Sequence, residues 1–150
     1  MLKQKSDYHA MAAGTKRWRI FALSSHLCLL VWVILWQSML SPHPHLDQWI
    51  VTIAWSIPLL LPLPGIVQGK PYTHAWGNFV LMLYFLHALT IIYINGGERL
   101  IAAIELLLTS GAFIGNILFA RLRGKELGLH LKRLSEVEKH EKAQFSPPQS

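Results

Sequence analysis

The stretch LIAAIELLLTSGAFIGNILFA, residues 100–120, decides the fold. It runs 21 residues with one charged side chain, Glu105, and no proline. A bilayer core about 30 Å thick is crossed by about 20 helical residues, so this segment predicts a transmembrane helix. Three runs of similar character precede it: Ile20–Leu40, Trp49–Val67 and Ala75–Ile94. Glu105 is the only formally charged side chain within the four. A soluble bundle would carry a charged stripe on every helix. The expectation is an all-α integral membrane protein, with four transmembrane helices in a bundle.

The rest of the composition agrees. The chain has 150 residues, enough for one domain, and only 15% are charged, against about 25% in soluble domains. Three regions follow: a basic N-terminal segment 1–19, a transmembrane domain 20–121, and a basic amphipathic tail 122–150. The single cysteine, Cys28, lies within the first run and reads as a small buried apolar residue. Basic residues before an apolar stretch resemble a secretory signal. A signal core has only about 7–15 residues, so an uncleaved first helix is expected instead.

Lys and Arg set membrane orientation by staying in the cytoplasm. Five precede the first run, Lys70 lies between the second and third, and seven follow Ala120. With both termini cytoplasmic, thirteen of the fourteen basic residues are inside; the opposite orientation keeps only Arg99 there. Trp18, Trp36, Trp49, Trp76 and Tyr93 fall near run boundaries and suit the headgroup layer, while Trp32 and Trp55 lie deeper and should pack on other helices. Residues Tyr8–Arg19 could form a short surface helix attracted to anionic lipid; a simple positive-inside flank is the favoured reading.

The second run contains Pro58, Pro62 and Pro64, then Gly65. Proline removes a helical hydrogen bond and clashes with the preceding turn. Regular helix is therefore expected over Trp49–Leu61 only, about 20 Å, with irregular backbone beyond it. Such a break marks a binding site in some transporters; a helix end inside the headgroups is favoured. In the tail, Leu127, Leu131, Leu134 and Val137 recur at helical spacing. They predict an amphipathic helix on the membrane surface or on a partner.

Ionisable groups within a bilayer are costly unless paired, which makes each a functional candidate. His87 and Glu105 lie equally far from Gly96, within the Asn95–Glu98 turn. An antiparallel hairpin would put them at one depth, where they could pair. Tyr84, His87 and Thr90 share one face of the third helix; Ala102, Glu105, Thr109, Ala112 and Asn116 share one face of the fourth. This candidate cluster, Glu105, His87, Tyr84, Thr109 and Asn116, would serve as a proton or cation relay or as a polar clamp between helices. The clamp is favoured, since relays usually hold more than one carboxylate. His26 sits about six residues inside the first helix and His87 about twelve inside the third. That offset, about 9 Å, speaks against one shared haem, and His26 reads as a packing histidine beside Ser24 and Ser25.

Gly111 and Gly115 form a GxxxG pattern that permits close helix approach, within the bundle or in a dimer. His43, His45 and Asp47 could hold a metal, but a solvated loop is the favoured reading. The basic pI, about 9.7, follows from membrane-flanking charge and calls for no nucleic acid. No nucleophile–base pair is visible, so no enzyme and no cofactor are expected.

The segments Pro58–Leu63, Gly65 and Pro71-Tyr72-Thr73-His74-Ala75-Trp76 are similar to a proteobacterial family of small inner-membrane proteins known only as a domain of unknown function. The similarity runs over about Trp18–Gly124. It implies four helices in a bacterial inner membrane and supplies no activity. It marks an inner-turn motif, Pro58, Pro62, Gly65, Tyr72, His74 and Trp76. The leading functional expectation is a non-enzymatic accessory or assembly subunit, in contact with the lipid bilayer and with a membrane-protein partner or a second copy. The alternative is a small proton- or cation-coupled transporter using Glu105 and His87.

Overall fold

The structure, a computed structural model, describes residues 11–41, 45–128 and 134–145. All regular structure among them is helical: α1 (Ala13–Leu35, widening into a π turn over Trp36–Leu40), α2 (Gln48–Leu60), α3 (Leu63–Val67), α4 (Pro71–Ile94), α5 (Arg99–Glu126) and α6 (Leu134–Phe145). Helix α1 with its π turn, α4 and α5 have 28, 24 and 28 residues and are long and apolar enough to cross a membrane. Helix α2, with 13 residues, is apolar but shorter.

Several boundaries differ from expectation. Helix α1 starts at Ala13 and runs unbroken into the apolar stretch, so residues 13–19 form no separate surface helix; Tyr8 lies outside the described residues. Helix α4 starts at Pro71 rather than Ala75, because proline fits the first helical turn, where its missing N–H costs nothing. Helix α5 continues past Ala120 to Glu126, with Arg123 and Lys125 in its last turn, where cations complement the helix dipole. It stops at Gly128, whose φ of 67° is the left-handed geometry of a helix end. Leu127 therefore belongs to the end of α5, and the tail helix starts at Leu134; Leu131 lies outside the described residues.

The second apolar run breaks where its prolines are. Helix α2 ends at Leu60 and a short helix, α3, resumes at Leu63 with Pro64 in its first turn. The broken run nevertheless tracks α1 along its length. Gln48 Nε2 donates to Ser38 O at 2.6 Å, His26 Nε2 bonds Leu59 O at 2.9 Å, and Arg19 Nη2 donates to Val67 O at 2.6 Å. From Ser38 back to Arg19 the α1 axis covers about 28 Å at 1.5 Å per residue. The run lies antiparallel to α1 over that distance.

Helix α5 is central, packed on α1 and α4. Gly115 makes the first of these seams: a Cβ there would come within 2.9 Å of Ala22 Cα, and one at Gly111 within 3.3 Å of Ser25 Oγ. The GxxxG pattern is thus used inside the chain, to bring two backbones together. Polarity is inverted relative to a water-soluble protein. His26, His74, Glu105, Thr109 and Asn116 have no exposed surface, whereas Phe79, Leu100 and Leu107 are 72–76% exposed. Apolar outer faces of that extent suit a hydrocarbon solvent and not water.

Candidate functional site

Helices α4 and α5 form an antiparallel hairpin, and it brings His87 and Glu105 together. His87 Nδ1 lies 2.8 Å from Glu105 Oε2. The pair is closed in: Glu105 has no exposed side-chain surface and His87 has 14%. The imidazole packs against two indoles, with centroids 4.2 Å from Trp55 and 5.0 Å from Trp36. Tyr84, one turn below His87, donates to Trp55 O at 2.5 Å and meets the Trp55 ring edge-on. Trp55, expected to pack inside, is therefore shared by Tyr84 and His87. Trp36, expected to present its ring to the headgroup layer, is 1% exposed. Depth along a helix does not fix its face, and Trp36 sits near the end of α1 but turns inward onto His87.

Chemically, the pair places two bases on either side of one proton. The imidazole N–H can donate to the carboxylate, or the protonated carboxyl can donate to the ring nitrogen. A neutral imidazole beside a carboxylate leaves the pair with one negative charge, and one added proton makes it neutral. Glu105 Oε1 is buried and has no hydrogen-bond partner among the described residues. One carboxylate oxygen is thus satisfied and the other is not, a costly arrangement in a low-dielectric interior.

The other members of the expected cluster are not joined to this pair by side chains. Thr109 Oγ1 donates to Glu105 O of its own helix at 2.8 Å. Thr90 is exposed and donates to Leu86 O at 2.6 Å. Asn116 Nδ2 donates to Asn78 Oδ1 at 3.0 Å, about three turns away along α5. Asn78, Trp36 and Trp55 were not singled out as site residues in the sequence. The Asn78 signal was available, because Asn78 and Asn116 are centred on Gly97, one residue from the Gly96 on which His87 and Glu105 are centred.

The inner-turn motif is likewise divided. Gly65 packs on Thr73, whose side chain leaves no room for a Cβ, and Gly77 faces Pro62, which a Cβ would meet at 3.3 Å. His74 is buried, bonds Lys70 O through Nδ1 at 2.8 Å, and stacks on Phe119 at 4.3 Å. Tyr72 is 79% exposed. Pro58 lies within α2, and Trp76 is half-buried. His26 Nε2 donates to the Leu59 carbonyl next to the helix break and is not bonded to Ser24 or Ser25. Beyond the apolar part of α5, Glu126 accepts from Thr15 Oγ1 and from Arg123 Nη1, the latter at 2.9 Å. This link between the ends of α1 and α5 has no signature in the sequence.

Asp47 of the first loop caps α2, accepting from Trp49 N–H at 3.0 Å; His43 lies outside the described residues. Cys28, expected to be buried, is exposed on the outer face of α1.

Long apolar helices with outward-facing hydrophobic side chains and an inward polar pair define a multi-helix membrane protein. The chain belongs to the family described as "Predicted membrane protein (DUF2069)", which matches residues 21–124. That match spans α1 to α5 and ends before the tail helix. No curated protein and no solved structure matches the chain significantly.

Proposed function

We propose that the protein is a non-enzymatic accessory or assembly subunit of a larger membrane complex. It crosses a bacterial inner membrane four times, with both termini cytoplasmic. The observation that carries the functional part is the closure of the polar pair. Glu105 has no exposed surface, and His87 is flanked by two tryptophans. A carboxylate so enclosed exchanges nothing with either aqueous side unless the bundle opens. Its role is to lock α4 onto α5 and present their outer faces. Those faces, with Phe79, Leu86 and Leu107 exposed, meet lipid or a partner.

Two observations support four crossings and their direction. The run 48–67 follows α1 for about 28 Å, close to the thickness of a hydrocarbon core. Thirteen of fourteen basic residues lie on one side in that arrangement.

Mild-detergent affinity purification from native membranes, with mass spectrometry of the eluate, tests the proposal. A stoichiometric membrane-protein partner is expected; elution alone as a stable monomer contradicts it. The bare Oε1 of Glu105 favours one second reading, a proton- or cation-coupled carrier. Glu105→Gln separates the two. A carrier loses coupled flux while remaining folded, whereas an accessory subunit keeps its partner and at most loses some stability.

A further inference from the structure

A second site lies at the other end of the bundle. A cleft of about 510 Å³ opens there, walled by Arg19 of α1, Gly69 and Lys70 of the turn after α3, Pro71 of α4, and Arg123 of α5. Three cations from three separate segments thus face one space. Glu126, bonded to Arg123, is the carboxylate beside them.

Each wall is held in place. Arg19 donates to Val67 O through Nη2, which fixes the guanidinium beside the turn. Gly69 has φ of 70°, and a Cβ there would come within 2.9 Å of Arg19 Nε. The backbone therefore favours glycine, and a side chain there would displace the guanidinium. Arg123 is 2% exposed, an unusual depth for a cation. One bond to Val67 leaves Arg19 with further N–H groups, since guanidinium has five. The exposed Lys70 adds an ammonium. The 24-residue helix α4 begins at this cleft with no side-chain cap and no acidic residue in its first turn. Its positive dipole end adds to the cations.

Depth identifies the ligand's chemistry. Arg19 immediately precedes the apolar run of α1, and Arg123 follows that of α5 by three residues. The cleft sits at the level where hydrocarbon gives way to headgroups. We infer that Arg19, Lys70 and Arg123, with the N-terminus of α4, form a binding site for a phosphate-bearing anion. Its source is either an anionic phospholipid headgroup in the adjoining leaflet or free phosphate. Basic pockets between membrane helices recognise headgroups through such charge, and guanidinium matches phosphate oxygens in geometry. The site is independent of the His87–Glu105 pair.

The test uses the full chain purified in a zwitterionic detergent, with thermal unfolding as the readout. Three additives are compared: phosphatidylglycerol, phosphatidylcholine and inorganic phosphate. A saturable rise in Tm with phosphatidylglycerol alone supports the site and identifies a lipid. A rise with inorganic phosphate as well supports it and identifies the free anion. Lys70→Gln, an exposed position, should weaken the apparent affinity roughly five-fold, on the basis of about one such increment per basic residue. Arg19→Gln with Lys70→Gln should weaken it further. Lys125→Gln, outside the cleft, is the control for general surface charge. No response to either anion overturns the inference. So does a response that phosphatidylcholine reproduces, or one that Lys125→Gln reduces as much as Lys70→Gln.

Discussion

Helix α5 and the α2–α3 segment grow from apolar runs of similar length, 100–120 and 49–67, yet one is a single 28-residue helix and the other is broken. The difference changes what polar side chains do around each. Along the unbroken α5, polar side chains pair across the seam, His87 with Glu105 and Asn78 with Asn116, although Trp32 Nε1 of α1 also donates to Ile101 O at 3.3 Å. Along α2–α3 the prolines interrupt the ladder, and side chains of α1 turn to backbone carbonyls: His26 to Leu59 O and Arg19 to Val67 O. Hydrocarbon offers no water for a freed carbonyl, so a neighbouring helix must supply the donor. At this break, polar residues of the neighbouring helix reach carbonyls of the broken run.

Six substitutions sharpen that comparison. The largest effect is expected on the regular side. His87→Ala leaves Glu105 buried with neither oxygen paired, which should cost about 3–5 kcal/mol in detergent unfolding. Glu105→Gln retains a hydrogen-bonding partner and should cost about 1 kcal/mol; equal losses for the two would show that the pair is not the reason. Next, Gly115→Val forces a branched side chain onto the Ala22 backbone and should cost about 1–3 kcal/mol. Gly111→Ala, which meets only the Ser25 hydroxyl, should cost less, and the reverse order would disprove the seam. On the broken side, His26→Phe strips the Leu59 carbonyl of its donor. A loss of about 1–2 kcal/mol is expected, with faster amide exchange confined to residues 59–63. Exchange spread over the whole bundle would mean His26 acts through packing alone. Smallest of all, Glu138→Gln removes the exposed pair with Lys142 on α6 and should change stability by less than about 0.5 kcal/mol.

The regular half was the more legible in sequence. Hydropathy located α4 and α5, and turn-centred symmetry matched His87 to Glu105, because a hairpin's register follows from its turn. Asn78 and Asn116, centred one residue away on Gly97, lie along the same seam. The prolines correctly marked where α2 would stop, and within one residue at each end of the regular part. What lay beyond sequence was contact between elements distant in the chain. Nothing local to Arg19 points to Val67, nor anything at Thr15 to Glu126. Trp36 shows the same limit in another form, since its depth was readable and its face was not. Helix starts were placed too far inward because hydropathy reports the hydrocarbon core, while α1 and α4 begin in polar sequence outside it.

The central claim is that the broken run 48–67 crosses the membrane alongside α1. Single cysteines flanking it, Leu46→Cys and Gln68→Cys, in a Cys28→Ala background, test this most directly with a membrane-impermeant thiol reagent applied to spheroplasts. Labelling of residue 46 in intact spheroplasts, and of residue 68 only after permeabilisation, is the expected result. Labelling of both from the same side would make the run a re-entrant segment and contradict the account.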